Sequence, residues 1–339
     1  MTTLRHLALA LAWGCSLLGI ALMLLYAVPD LQLTIRSLAM AASFIPYGLV
    51  LWALAILGFL AGGRRWTKLW AVPALVALIV QVGWARPYWP ALPGTPPPAS
   101  QTTATPPAQT QTLRVLSANV HYGKADPVSA AAAITAADPD VVVLLEASDP
   151  FVESPALTAA LAALPHRVGR TVPGFAKAGR EDASGTLILS RHPLTEVGQL
   201  PSLFDQYVVR VAAEGPPLTL VAAHPMNMVT GVGVWQHEGE ILREGLAPHL
   251  AEPLIAVGDF NATAEHVTLR RLFDLGLTLG AQEAGGGWHP TYPSERDGLP
   301  SLIGIDHVLT NDRVTTTSYE TVAVRGSDHR AIVADLTYG

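Results

Sequence analysis

The stretch GDFNA, from Gly258 to Ala262, follows the apolar run LIAV and ends a predicted strand in polar side chains. Two later stretches resemble it, GIDHV at residues 304–308 and GSDH at residues 326–329. Apolar runs that end in polar residues are typical of buried strands that deliver side chains to one edge of a sheet. Carboxylate, amide and imidazole groups at such an edge predict a metal-assisted site for breaking phosphate esters.

Three earlier runs end in the same kinds of residue. LRVLSANV ends near Asn119, the continuous apolar run VVVLL is followed by Glu146, and Leu218–Ala223 is followed by His224. A continuous apolar run predicts a strand that is buried on both faces. Singly, Asn119 could cap a turn, Glu146 could lie at an exposed strand end, and His224 could be a hydrogen-bonded loop residue. Together they favour one shared site.

Other segments predict the elements between these strands. TLILS at 186–190 predicts a strand, and residues 208–212 and 218–223 predict a hairpin. Helices are predicted over residues 128–137, 235–246 and 268–275.

The order of these motifs, N, E, H, GDFN, DH and SDH, resembles the endonuclease/exonuclease/phosphatase superfamily, which includes deoxyribonuclease I. The resemblance covers Leu113 to Leu336, and LSRHPL at 189–194 also resembles a family segment. It implies an α/β fold, a four-layer α/β/β/α sandwich of two packed mixed sheets, here preceded by three transmembrane helices. The catalytic domain is expected over residues 113–339.

The resemblance also implies roles for the motif residues. His329 is the expected general base, with Asp306 holding its ring in one tautomer. Glu146 is the expected principal metal ligand, with Asn119 and Asp328 beside it.

Three further residues complete the predicted site. Asp259 and Asn261 resemble the pair that positions the nucleophile and the phosphate oxygens, and His224 is expected to donate to the phosphate or the leaving oxygen. Oxygen ligands favour Mg²⁺, with Mn²⁺ or Ca²⁺ as alternatives. Because some relatives carry an acid where this chain has His121, the number of metal ions stays open.

Two other catalytic classes fit the sequence less well. A serine hydrolase would need a G-x-S-x-G elbow, which the sequence lacks. A zinc site is disfavoured because the histidines are not grouped at ligand spacing.

The first 86 residues predict a three-span transmembrane region. The apolar stretches are residues 7–28, 44–60 and 69–85. Arg5 and the basic residues at 64–68 indicate cytoplasmic loops by the positive-inside rule, which places the C-terminal domain outside the cytoplasm. A buried soluble helix bundle, a cleaved signal peptide and a lipoprotein signal at Cys15 are the disfavoured alternatives.

A segment rich in Pro, Thr and Gln, residues 87–112, predicts an extended linker. Three spans followed by a Pro-rich linker resemble the bacterial membrane members of the superfamily that are linked to glycopeptide resistance and are thought to act on lipid-linked pyrophosphate.

Charge bears on the substrate. Residues 113–339 hold 15 Lys and Arg against 26 Asp and Glu, a net charge of about −11. A domain this acidic lacks the basic surface of a general nucleic-acid binder.

The sequence therefore predicts an extracytoplasmic, membrane-anchored phosphohydrolase that cleaves a phospholipid or polyprenyl pyrophosphate. An extracytoplasmic nuclease is the alternative, and a non-catalytic binding module of the same fold is a third hypothesis. The oligomeric state stays open.

Overall fold

A computed structural model describes residues 2–62, 64–89, 110–174, 182–213, 215–294 and 299–339. Within it the chain forms two compact units, Met1–Trp89 with Glu265–Val267, and Pro90–Ala264 with Thr268–Gly339. Most of the predicted linker, residues 90–109, lies outside the described residues.

The first unit is helical. Its α-helices are α1 (Thr2–Ala27), α2 (Arg36–Ala42), α3 (Gly48–Gly62), α4 (Arg65–Lys68) and α5 (Ala71–Trp84). Three segments are long and apolar enough to cross a membrane: Thr3–Ala27, Ile45–Gly62 and Arg65–Trp84. They coincide with the three predicted spans.

Small residues let α1 and α3 approach closely. A Cβ atom added at Gly58 would lie 2.7 Å from the carbonyl oxygen of Ala8, and one added at Gly62 would lie 2.7 Å from that of Arg5. Glycines four apart on one helix face are typical of helix pairs in membranes, where close backbone approach replaces the hydrophobic effect as the source of packing energy.

The second unit contains the strands. They are β1 (Gln111–Asn119), β2 (Val141–Leu145), β3 (His166–Arg170), β4 (Thr186–Ser190), β5 (Leu194–Gln199), β6 (Tyr207–Val211), β7 (Leu218–Ala223), β8 (Leu254–Asp259), β9 (Thr278–Leu279), β10 (Asp306–Thr310), β11 (Val314–Ala323) and β12 (Arg330–Tyr338). Its α-helices are α6 (Pro127–Ala137), α7 (Asp149–Val152), α8 (Pro155–Ala160), α9 (Val232–Leu246), α10 (Val267–Phe273) and α11 (Gly280–Glu283).

The described strands form two mixed sheets of six, in the orders β11-β12-β1-β2-β4-β3 and β5-β6-β7-β8-β10-β9. In each sheet the two central strands are parallel and the other pairings are antiparallel. One buried apolar cluster combines side chains of both sheets, and another combines the first sheet with α6, α7 and α8. The predicted sandwich of two packed mixed sheets with helices is confirmed.

The crossover from β1 to β2 shows how the sequence sets this arrangement. Asp126 caps α6 by accepting a hydrogen bond from the backbone N–H of Val128 at 2.9 Å, and Pro127 occupies the first helical position. Asp138 ends the helix in the left-handed conformation at φ 47°. The chain then enters β2, whose five apolar residues are fully buried.

Two predicted details were wrong. The apolar run before Asp306 was expected to form a strand that ends at Asp306, but Asp306 begins β10. Because β10 runs antiparallel to β8, its first residue pairs with Asp259, the last residue of β8, and reaches the same edge. Strands β3 and β5 were missed, since HRVGR and LTEVGQ are edge strands with little apolar alternation.

Candidate active site

The predicted site residues meet at one edge of the two sheets. Asn119 and Asp259 end their strands, while Glu146 and His224 follow β2 and β7 directly. Asp306 begins β10, and His329 immediately precedes β12. Strand ends and antiparallel strand starts thus converge on a single edge, although the sequence pattern predicted strand ends alone.

The side chain of Asn119 links two carboxylates. Its Nδ2 donates to Glu146 Oε1 at 3.0 Å and to Asp259 Oδ2 at 3.1 Å. Its Oδ1 accepts from the backbone N–H of His121 at 3.0 Å, which fixes the orientation of the amide, because that N–H requires an acceptor. In this arrangement Asn119 positions the acids with its nitrogen, and its oxygen faces the backbone.

Glu146 is held in a strained backbone. It adopts φ 57°, and its Oε2 accepts from the backbone N–H of Tyr122 at 2.7 Å. Tyr122 and its neighbour His121 are also left-handed, at φ 56° and 50°. Burial raises the pKa of Glu146 despite the hydrogen bonds from Asn119 and Tyr122, which act to lower it.

His224 is buried beside the same acids. Its Nε2 lies 3.9 Å from Glu146 Oε1 and 3.9 Å from Asp259 Oδ2, beyond direct hydrogen bonding. Burial, followed by the charge of His329, lowers the pKa of His224 to about 3. The ring is therefore neutral at physiological pH and can donate a hydrogen bond from one nitrogen.

Asp259 and Asn261 lie on the GDFN turn. Asp259 Oδ1 accepts from the backbone N–H of Asn261 at 2.8 Å. Asn261 is left-handed at φ 48°, and its Nδ2 donates to the carbonyl of Pro225 at 3.0 Å. The amide of Asn261 thus joins the GDFN turn to the segment after His224. Burial raises the pKa of Asp259, and the nearby charge of His329 opposes this.

His329 and Asp306 form a buried pair across the two sheets. His329 Nδ1 lies 2.9 Å from Asp306 Oδ2, and Nε2 lies 3.7 Å from Asp259 Oδ2. An acceptor at Nδ1 favours the tautomer with the proton there, which leaves the Nε2 lone pair free. Burial acts to lower the pKa of His329, but the carboxylates of Asp306 and Asp259 outweigh it and raise the pKa above its ordinary value.

Two hydroxyl groups that sequence reasoning missed hold this pair. Thr291 Oγ1 accepts from the backbone N–H groups of Ile305 and Asp306, both at 3.2 Å. Ser327 Oγ accepts from the N–H of His329 at 3.0 Å and donates to the carbonyl of Asn119 at 2.7 Å. Ser327 belongs to the GSDH motif that the sequence singled out. Its contact with Asn119 could not be predicted, because the two residues are 208 positions apart in the sequence.

Asp328 lies at the more exposed side of the site. Its Oδ1 is 4.0 Å from His329 Nε2 and 3.8 Å from His121 Nδ1. His121 therefore lies beside Asp328, and the number of cations that this region holds stays a prediction.

The donor chemistry of the site fits a hard divalent cation. Glu146 and Asp259 present carboxylate oxygens that share one amide donor, and ligand atoms of Asp259, Asp306 and His329 lie within 4.8 Å of one another. Glu146, Asp259 and Asp306 bring three carboxylates together beside the basic residue His329. Because the repulsion between these carboxylates is only partly compensated, the cluster favours a bound cation.

Comparison with known proteins agrees with this geometry. The model of the endonuclease/exonuclease/phosphatase family matches residues 116–329. The chain belongs to this family. Its members are metal-dependent phosphoesterases or nucleases. No curated protein sequence matches the chain.

Solved structures share the fold at low sequence identity. A family protein from Bacteroides thetaiotaomicron is 14% identical, with 68% of this chain and 99% of that chain covered and a TM-score of 0.54. D. rerio TDP2, complexed with a single-strand DNA product, is 16% identical, with coverages of 67% and 99% and a TM-score of 0.53. A mannosyl-6-phosphatase from B. thetaiotaomicron is 14% identical, with coverages of 66% and 99% and a TM-score of 0.50.

Proposed function

We propose that this chain is a membrane-anchored phosphohydrolase whose catalytic domain, residues 113–339, lies outside the cytoplasm. It acts with Mg²⁺, or with Mn²⁺ or Ca²⁺ in its place, on a phospholipid or polyprenyl pyrophosphate. The observation that carries the hydrolytic reaction is the His329–Asp306 pair beside a cluster of acids that Asn119 holds together.

His329 is the proposed general base. A water molecule binds near Nε2 of His329. Nε2 removes a proton from this water as the water oxygen forms a bond to phosphorus. The bond between phosphorus and the leaving oxygen then breaks. Asp306 holds the ring and stabilises the imidazolium that results, as its 2.9 Å contact with Nδ1 allows.

Glu146 is the proposed principal cation ligand, with Asn119 and Asp328 beside it. Asp259 lies next to them, and the Nδ2 atom of Asn119 orients Glu146 and Asp259. A bound divalent cation would neutralise charge on the phosphate and on these acids, which also lowers the pKa of His329 toward a working base. His224, as a neutral ring, donates to a phosphate or leaving oxygen, and the turn of Asp259 and Asn261 positions the nucleophile.

Two observations support a lipid substrate. The same chain carries three helices that are long and apolar enough to cross a membrane. Residues 113–339 carry a net charge of about −11, which disfavours a polyanionic strand as substrate. A membrane anchor confines the enzyme to the surface where lipid phosphates are found.

A nuclease is the second candidate function, because the similar structure of D. rerio TDP2 holds a single-strand DNA product. The test is a panel assay of the full chain in detergent micelles with Mg²⁺, on a lipid pyrophosphate, a phospholipid and plasmid DNA. Phosphate release from lipid with intact DNA supports the proposal, and DNA cleavage at a comparable rate supports the nuclease. Inactivity on all substrates, equal in the wild type and in His329→Ala, supports the third hypothesis, a binding module.

Orientation is tested separately. A reporter enzyme that works only after export, fused after Gly339, should be active in cells. A reporter that works only in the cytoplasm should be silent at the same position. The reverse pattern would place the catalytic domain in the cytoplasm and exclude an extracytoplasmic substrate.

A further inference from the structure

Large apolar side chains are exposed around the catalytic edge. Among the described residues of the second unit, the exposed large apolar side chains are Val128, Val197, Leu203, Val229, Trp288 and Leu299. The last four are 42 to 67% exposed and lie in connecting loops, whereas Val128 and Val197 lie in a helix and a strand.

The loop of Leu203 lies beside the catalytic histidines. It connects β5 to β6, and since β6 begins next to the end of β7, the loop reaches the edge where His224 lies. The neighbouring Phe204 packs its ring 4.5 Å from the ring of His224. The side chain of Leu203 is exposed.

A buried acid fixes this loop to the loop of Val229. Glu238 on α9 accepts hydrogen bonds from the backbone N–H of Leu203 at 3.1 Å and of Met226 at 3.4 Å. Both loops are thereby held by their backbones while Leu203 and Val229 remain in solvent. The exposure of the two apolar side chains is built into the fold.

Trp288 and Leu299 lie on a connection that contacts the other site histidine. Both belong to the connection between α11 and β10. The same connection carries Tyr292, whose ring lies 5.0 Å from the ring of His329. The exposed apolar residues thus lie on connections that contact each of the two site histidines.

Two of these connections contain uncharged runs, whereas Asp205 follows Leu203, and Glu295, Arg296 and Asp297 precede Leu299. Residues 225–236 and 284–294 contain no Asp, Glu, Lys or Arg, in a domain whose net charge is about −11. Removing an uncharged segment from water avoids the large cost of desolvating an ion. Acids elsewhere on the domain are repelled by anionic lipid, but these segments are not.

We propose that Leu203, Val229, Trp288 and Leu299 form an apolar rim that inserts into the bilayer surface while the catalytic edge takes its substrate. The bilayer is the partner because three helices of the same chain match its apolar core. Insertion of exposed apolar side chains is driven by the hydrophobic effect and does not require an anionic headgroup. The choice of a lipid substrate rests on the proposed function, but insertion of the rim does not require catalysis.

The single cysteine of the chain makes the test direct. In a Cys15→Ser background, Leu203, Val229, Trp288, Leu299 and the control Val197 are replaced one at a time by Cys and spin-labelled. The full chain is placed in phosphatidylcholine vesicles, and collision of each label with oxygen, enriched in lipid, and with a water-soluble nickel chelate is measured.

Labels on the rim are expected to favour oxygen over the nickel chelate at least fivefold relative to the label at position 197. Equal access to the nickel chelate at all positions overturns the proposal. Labels protected from both reagents also overturn it, because they indicate burial against protein, such as a second copy of the chain.

Kinetics separate this proposal from the proposed function. In Leu203→Ser/Val229→Ser, the ratio of the rate on a long-chain lipid phosphate to that on a short-chain soluble one is expected to fall about tenfold, with the ratio unchanged in Val197→Ser. If the chain hydrolyses lipid but the rim labels stay in water, the rim proposal is overturned and the proposed function is supported. If the labels insert but lipid is not hydrolysed, the proposed function is overturned and the rim proposal is supported.

Discussion

The two sides of the site are held by different means. On the acidic side, Glu146 and the turn of His121 and Tyr122 adopt left-handed backbone conformations. On the basic side, Asp306 and His329 keep ordinary backbones and are held by the hydroxyls of Thr291 and Ser327. Strained backbone is stabilised only by its surroundings, so the acidic side depends on the neighbouring fold. The basic side depends on individual side chains, which makes it the easier side to alter by mutation.

Loss of the proposed base should have the largest effect. His329→Ala is expected to lower kcat by about 10⁴-fold, because it removes the proposed proton acceptor. Steady-state hydrolysis of the substrate found in the panel assay measures this. A drop below tenfold would assign the base elsewhere, and near-UV circular dichroism confirms that the variant is folded.

Glu146→Gln tests the acidic side and should lower activity by about 10³-fold through loss of the cation. Burial raises the pKa of Glu146, so above that pKa the ionised carboxylate costs stability when no cation is bound, and the cost disappears as the pH falls. In chelator at pH 8 the variant should therefore unfold at a higher temperature than the wild type.

Added Mg²⁺ should reverse this order, because a ligand that binds the folded state raises its unfolding temperature. Calorimetry with and without Mg²⁺ measures both effects. An equal Mg²⁺ shift in wild type and Glu146→Gln would show that the cation binds without this carboxylate.

Asp306→Asn should lower kcat by about 100-fold and also move the pH profile. The carboxylate of Asp306 raises the pKa of His329, and the base acts in its neutral form, so activity is lost as the pH falls through that pKa. Removing the charge lowers the pKa, and the acid limb of kcat/KM should shift to lower pH. A shift to higher pH would contradict the pairing.

Thr291 should show the smallest effect. Thr291→Val removes the acceptor of two buried backbone N–H groups and is expected to cost about 2 kcal/mol of stability and to lower kcat about tenfold through displacement of Asp306. Thr291→Ser keeps the hydroxyl and should keep both properties. Equal behaviour of the two variants would show that the hydroxyl does not position Asp306.

Continuous apolar runs in the sequence, such as β2, predicted buried central strands that end near polar residues. The two-sheet sandwich was predicted from the resemblance of those polar motifs to a known family. The sequence did not predict that Asn119 would hold Glu146 and Asp259 with one NH₂ group, since this contact joins residues 140 positions apart. It also missed Thr291, whose role depends on a loop that returns to β10. The local pattern of apolar residues predicts which residues are buried. Hydrogen bonds between loops that are distant in sequence depend on the tertiary structure and are not predicted by that pattern.

The strand orders of the two sheets have one more consequence. The two sheets have the same strand arrangement: β11, β12, β1, β2, β3 and β4 occupy the positions of β5, β6, β7, β8, β9 and β10. In both sheets the parallel pair lies at the third and fourth positions. One six-stranded arrangement therefore occurs twice, and in the first sheet its first two strands come from the end of the chain. Counted along the paired strands, Glu146 corresponds to Asp259, Asn119 to Ala223 and His329 to Asp205. The two halves supply matching acids, and the proposed base arises where the repeat differs.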